Sequence, residues 1–203
     1  MPAGRKREFD KKQALRTAML VFWEKGYSGT ALSELCAQMG INKPSLYSTF
    51  GNKEALHAQA IDFYFDHYGQ THLNQLNSLS LSVRECLSNF LTSIADMQFN
   101  CDLPKGCFVS LCASERVGDC LSDTTIKKIE SLQEITETRL IDFFEQRKGC
   151  GELSEKFNTK QHCLLLGLLI HGSAVFARSG ADVGEVKQSF TLALQGMNLN
   201  PLL

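Results

Sequence analysis

Apolar residues recur at spacings of three and four along almost the whole chain, and Val, Ile and Thr never build a convincing run with the period of two that a half-buried strand requires. The pattern predicts an all-α fold. A first helix starts after Asp10, whose carboxylate can cap free backbone N–H groups, carries Ala14, Leu15, Ala18, Met19, Phe22 and Trp23 on one face, and stops at Gly26. A shorter helix follows Thr30 with Leu32, Leu35, Cys36 and Met39 inward, and Gly40 supplies a left-handed C-terminal residue. After a tight turn, Asn42 caps a third helix with Pro44 in its first turn, where a missing N–H costs nothing, and Leu46 and Phe50 on its buried side. Asn52 then caps a long fourth helix from Lys53 to about Leu76. Further helices are expected near 82–99, 106–117, 123–148, 159–178 and 182–196.

Two short helices joined by a tight, glycine-containing turn, the second opening with small and basic residues, make a helix-turn-helix, whose second helix can enter a DNA major groove about 12 Å wide. Lys43, Pro44, Ser45, Tyr47, Ser48 and Thr49 lie off the buried side of that helix. Lys43 and Tyr47 are long enough for phosphate or base edges, Ser45 can hydrogen-bond, and Pro44 offers apolar contact to a thymine methyl. Thr30 and Lys53, each near a helix start, are placed to pin flanking phosphates. On these features alone an ordinary three-helix bundle explains Leu35, Leu46 and Phe50 equally well.

Charge sharpens the picture. The net charge is −1, yet residues 1–60 hold nine Lys or Arg against five Asp or Glu, a balance of +4, while residues 61–203 carry −5. Arg5, Lys6 and Arg7 form a basic cluster ahead of the first helix, either a solvated tail or an arm on DNA phosphate or minor groove. The apolar fraction of 43% is that of a soluble globular protein. The longest apolar run, Cys163 to Ile170, is too short to cross a bilayer, and the N-terminus lacks a signal peptide's apolar core, so a cytoplasmic protein without a membrane partner is expected.

Residues 9–56, containing "ALRTAMLVFWEKGYSGTALSELCAQMGINKPSLYSTFGNKEAL", resemble the DNA-binding domain of the TetR family. The resemblance rests on Phe22, Gly26 and Tyr27 closing the first helix, Thr30 opening the second, and Gly40 and Ile41 in the turn. Ser45, Leu46, Tyr47, Phe50, Lys53, Glu54 and Leu56 complete it. It implies nine helices: a three-helix DNA-binding domain (1–52) and about six helices (53–203) for effector sensing and dimerisation. It also implies a homodimer on a palindromic operator in double-stranded DNA, acting as a transcription regulator, in most family members a repressor, released by a small-molecule or thiol-reactive signal. The stretch "CLLLGLLIHGSAVFA" from Cys163 to Ala177 then becomes a helix of the dimer's four-helix bundle, or else an internal core helix.

The effector is not written in any motif. A Phe-rich set including Phe65, Phe90 and Phe176 supplies a core or an apolar pocket without identifying ligand contacts. Eight cysteines show no CxxC pair, and neither a metal site nor a cofactor is expected. Cys107, at the start of the sixth helix and near Lys105, is the candidate redox sensor, and the segment "KGCFVSLCASE" resembles the N-ethylmaleimide-responsive repressors of the family. A buried, inert Cys107 is the competing reading. Cys112 and His171 read as core or interface residues. Two rival functions are weaker: a cysteine-based redox enzyme lacks a CxxC pair or a Cys with a nearby His base in the sequence, and a helical interaction protein that does not bind DNA leaves Arg5, Lys6, Arg7, Lys43 and Lys53 without a purpose. No catalytic residue is expected.

Overall fold

The structure is a computed structural model that describes residues 10–118 and 120–199. Arg5, Lys6 and Arg7 lie outside the described residues. The elements are α1 (Lys11–Lys25), α2 (Leu32–Met39), α3 (Lys43–Phe50), α4 (Lys53–Tyr64), α5 (Gln70–Leu73), α6 (Val83–Gln98), α7 (Phe108–Ser114), α8 (Asp123–Gly149), α9 (Thr159–Arg178) and α10 (Val183–Gly196). A π-turn over Phe65–Gly69 joins α4 to α5, and a 3-10 turn over Asn74–Asn77 extends it, so one bent rod runs from Lys53 to Asn77. With that rod taken as one helix there are nine, and no strand, among the described residues.

Local chemistry sets the first boundaries as the pattern predicts. The Asp10 carboxylate accepts from the N–H groups of Lys12 and Gln13, and the side chains of Asn42 and Asn52 accept from those of Ser45 and Ala55. Gly40 sits at φ 67°, ψ 26°, the left-handed conformation a side chain disfavours. Ala31 holds the N-cap position of α2, and the buried Thr30 hydroxyl donates to the Gly26 carbonyl at 2.6 Å. Gly106 takes φ 82°, and the chain turns into α7 after Cys107.

The α1–α3 unit closes around Met19, Phe22, Trp23, Leu35 and Leu46, all fully buried, and the first turns of α4 complete it with Leu56 and Ala60. Burying a side chain of this size contributes about 1.5–3 kcal/mol. The core continues without a break into the C-terminal helices through Phe90, Phe108, Ile129 and Phe144. The α4 rod therefore belongs to both parts, and its Tyr64 ring packs edge-on against both Trp23 of α1 and Phe108 of α7. Two polar clusters lock the far end. The buried guanidinium of Arg147 pairs with Glu152 at 2.6 Å and also donates to the Ser78 carbonyl and the Cys86 thiol. Lys128 on α8 donates to both carboxylate oxygens of Asp62 on α4 at 2.7 Å.

Candidate DNA-reading surface and ligand cavity

The buried side of α3 leaves the opposite side bare. Lys43, Pro44, Tyr47 and Ser48 are exposed, and Ser45 and Thr49 are half-buried. Tyr47 keeps 51% of its surface in water, an unusual place for an aromatic ring, and neither its side chain nor that of Lys43 has an intramolecular hydrogen bond or ion pair among the described residues. Asn42 fixes the first turn of the helix, and Leu46 and Phe50 fix its rotation, so this bare side has one orientation. The flanking candidates are placed differently. Thr30 is buried, as above. Lys53 is half-buried, its ammonium donating to the Tyr27 carbonyl at 2.7 Å and lying 4.2 Å from the Tyr27 ring centroid. Burial pushes its pKa down, partly opposed by the nearby Glu115 carboxylate.

Two long-range clasps hold the turn between α1 and α2. The Glu115 carboxylate, just past α7, accepts from the N–H groups of Tyr27 (3.0 Å) and Ser28 (3.1 Å). The Arg178 guanidinium, at the end of α9, donates to the carbonyls of Trp23 (3.1 Å) and Glu24 (2.9 Å), the open C-terminal end of α1, and to Lys105 (3.2 Å). Acid meets free donors and base meets free acceptors. Beneath the turn, His57 is fully buried among the rings of Phe22, Tyr27 and Phe108, with Nε2 3.6 Å from the Cys112 thiol. Burial first, and the Lys53 charge second, lower its pKa to about 3, so it is neutral.

A cavity of about 610 Å³ opens among the rod, α6, α7, α8 and α9. Phe65, Leu73, Phe90, Ile94, Leu132 and Leu140 form its apolar walls. The Gln98 amide, on the wall, is satisfied: it donates to the Ile170 carbonyl at 3.1 Å and accepts from the Ser173 hydroxyl at 2.7 Å. Cys107 also lines the cavity, half-buried, and its sulfur receives the Tyr64 hydroxyl at 3.3 Å. Lys105 points elsewhere, donating to the carbonyls of Phe99 and Asn100. Cys112 is core, and burial raises its pKa well above the usual thiol value. Cys163 is a second thiol on the cavity wall.

The outer face of α9 is apolar where water reaches it: Leu164, Leu168, Val175 and Phe176 are each about three-fifths or more exposed, and Leu192 of α10 is exposed as well. Phe176 thus faces outward and contributes nothing to the core or the cavity. His171 is on the same helix, exposed and 2.7 Å from the Ser110 hydroxyl. No group of His, Cys, Asp and Glu among the described residues is arranged to hold a metal, and no described helix is long and apolar enough to cross a membrane.

A bare, oriented helix after a tight turn, rigidly clasped to a helical body with a ligand-sized cavity, defines a helix-turn-helix regulator. Residues 9–60 match the family described as bacterial regulatory proteins, tetR family. Over 188 residues the chain is 34% identical to the HTH-type transcriptional repressor ComR of Escherichia coli (strain K12), covering 91% of this chain and 87% of ComR. The chain belongs to the tetR family. A shorter match, 31% identical over 114 residues, joins 56% of this chain to 58% of the HTH-type regulator YezE of Bacillus subtilis (strain 168). Among solved structures, a cysteine mutant of the tetR-family regulator CifR, complexed with 26bp double-strand operator DNA, superposes with a TM-score of 0.87 at 25% identity, over 96% of this chain and all of that one. The reduced form of E. coli NemR shares the fold, with a TM-score of 0.80 at 19% identity over 95% of this chain and 98% of that one.

Proposed function

We propose that this protein is a homodimeric, cytoplasmic transcription repressor that binds a palindromic operator in double-stranded DNA and leaves it when a small molecule enters the 610 Å³ cavity. The observation that carries this reading is the outward side of α3. The side chains of Lys43 and exposed Tyr47 have no hydrogen-bond or ion-pair partner among the described residues, on a helix whose start is capped and whose rotation is fixed by Leu46 and Phe50. In this reading Pro44, Ser45, Tyr47, Ser48 and Thr49 read the major groove, Lys43 pins a phosphate at its edge, and Arg5, Lys6 and Arg7 extend the contact along the backbone. Thr30 and Lys53 hold the turn, and Lys53 offers its remaining N–H groups to a flanking phosphate. Residues 1–52 form the reading domain and 53–203 the sensing and dimerising one. The apolar seam of α9 and α10 meets the same seam of a second copy, setting two α3 helices about one DNA turn apart. An effector that favours another separation by about 1–3 kcal/mol lowers operator affinity roughly 5- to 150-fold.

The test is binding of the purified protein to DNA upstream of its own gene and its neighbours across a salt series. Specific binding that weakens steeply with salt is expected. Equal affinity for a randomised duplex, or none, overturns the proposal.

Cys107 supports a second way of loading the same cavity. The residue lines the wall, and its sulfur receives a hydrogen bond from Tyr64. A maleimide adds here with an Sγ–C bond forming across the activated double bond and the thiol proton ending on the neighbouring carbon. Release from DNA by N-ethylmaleimide is expected in the parent and not in Cys107→Ser; release persisting in the variant removes this route.

A further inference from the structure

Two glycines line the cavity, and they differ in what explains them. Gly69 belongs to the π-turn of the rod, where a β-carbon would lie 2.7 Å from the Phe65 ring, so the protein's own packing requires it. Gly167 sits in the middle of α9, where glycine weakens a helix relative to alanine, and its backbone is not left-handed. A β-carbon added there meets nothing within 4 Å among the described residues, beyond the backbone of its own helix. No close neighbour and no special conformation accounts for this glycine, and the space it leaves bare borders the cavity.

The rest of the lining says what can fill that space. The buried walls are hydrocarbon, and the buried polar side chains on them are spent inside the protein: the Gln98 amide on Ile170 and Ser173, the Tyr64 hydroxyl on Cys107. His72 meets Ser93 through Nδ1, and its other ring nitrogen is sealed off. Formal charge enters the lining only through Glu137 of α8 and Lys160 of α9, which are exposed, as are Asn158 and Gln161. An ion carried into the interior would lose its hydration without a counter-charge, whereas a polar end left at this edge keeps its water.

We infer that the cavity takes an amphiphile with one hydrocarbon body and one polar end: the body lies against the bare α9 backbone at Gly167, and the polar end stays in water at the edge marked by Glu137 and Lys160. The inference rests on the reading of the cavity as the effector site. It makes Gly167 a specificity residue, because any side chain there takes volume from the ligand's body. Gly172, the other glycine of α9, is equally bare but does not line the cavity; it lies four residues from each of exposed Leu168 and Phe176 and serves as the control.

A flexible chain follows a cavity of any shape, so straight-chain alkanoates from hexanoate to tetradecanoate, kept below micelle-forming concentrations, gauge the space. Binding is measured by calorimetry on the full chain, and 1-decanol against decanoate tests the polar end. Affinity is expected to rise about fourfold per methylene until the cavity is full and then to level off. Decanoate and 1-decanol should agree within about tenfold, because neither end is desolvated. Leucine brings four carbons and is a better helix former than glycine, so Gly167→Leu should move the break to chains about four carbons shorter. Gly167→Ala should move it by about one, and Gly172→Leu should leave it in place.

Affinity that rises without a break, a break that Gly167→Leu leaves in place, or one that Gly172→Leu moves equally overturns the inference. So does a larger difference between decanoate and 1-decanol in either direction, and so does a failure of every chain to bind. The effector-site reading stands or falls separately, by the neutral dye N-phenyl-1-naphthylamine. Fluorescence enhancement in the parent that Ile94→Trp abolishes by filling the cavity from α6 keeps that reading; enhancement absent from the parent, or undiminished in Ile94→Trp, removes it.

Discussion

Replacing Glu115 with alanine removes the link from the far end of α7 to the DNA-reading unit and leaves the Arg178 link from the end of α9. The carboxylate accepts two backbone N–H groups, from half-buried Tyr27 at 3.0 Å and exposed Ser28 at 3.1 Å. A hydrogen bond to a charged group contributes about 1.5–3 kcal/mol when shielded, and water replaces much of that at an exposed donor, so the pair holds the turn by about 2 kcal/mol. With about 1.4 kcal/mol per factor of ten, the amides of Tyr27 and Ser28 should exchange with solvent about 30-fold faster in Glu115→Ala, if the turn opens locally. Glu115→Gln keeps an acceptor without the charge and should fall between. Hydrogen exchange followed at residues 26–31 measures this directly, with α8 amides as an internal reference. Protection of Tyr27 and Ser28 unchanged within twofold in Glu115→Ala refutes the argument, because the turn would then be held by Lys53 and Arg178 alone. The same variant should also bind DNA without responding to cavity ligands, since α7 runs from the cavity wall at Cys107 to this carboxylate.

Lys43→Ala should weaken operator and random DNA by similar factors and reduce the salt slope by about one, as expected for a phosphate contact; an unchanged slope means the ammonium does not reach DNA. Leu168→Glu and Phe176→Glu place charges on the exposed α9 face, where little of the monomer's core is disturbed, and should yield a folded monomer by sedimentation; persistent dimers place the interface elsewhere. His57 titrates near 3 when folded and near 6.5 when unfolded. The unfolded state thus takes up the proton first, and stability contributed by the neutral ring is complete above pH 6.5 and is lost as the pH falls from there towards 3, by about 1.4 kcal/mol per unit. His57→Phe should flatten the acid side of the melting curve between pH 6.5 and 4.5; an identical slope refutes the assignment.

The all-α class, the cap at Asp10, the tight turn at Gly40 and the buried pair Leu46 and Phe50 were legible because each depends on residues within about four positions of one another. The periodicity of the chain reports which face of a helix is wet, and for α3 the wet face is the candidate site, so Lys43 and Tyr47 could be picked out in advance. Periodicity says less about Thr30 and Lys53, whose polar ends turn inward to the carbonyls of Gly26 and Tyr27. A hydroxyl or an ammonium near a helix start serves a phosphate or its own backbone equally well, and only the packing of the turn decides. Glu115 and Arg178 carried no local signal at all. Each looks like a solvated charge at a helix end, and each acquires its role from partners far away in sequence, 87 or 88 positions for Glu115 and 154 or 155 for Arg178. The cavity was invisible for a related reason: a stripe such as Phe90 and Ile94 has the same spacing whether the space opposite is filled or empty, and what distinguishes the two is how five helices fail to meet. The one cavity-lining residue with a strong local cue, Cys107, was expected to be tuned by Lys105 at a helix start. Its nearest polar partner is instead the hydroxyl of Tyr64, 43 positions away, and any reactivity it has is governed by that contact and by what fills the cavity beside it.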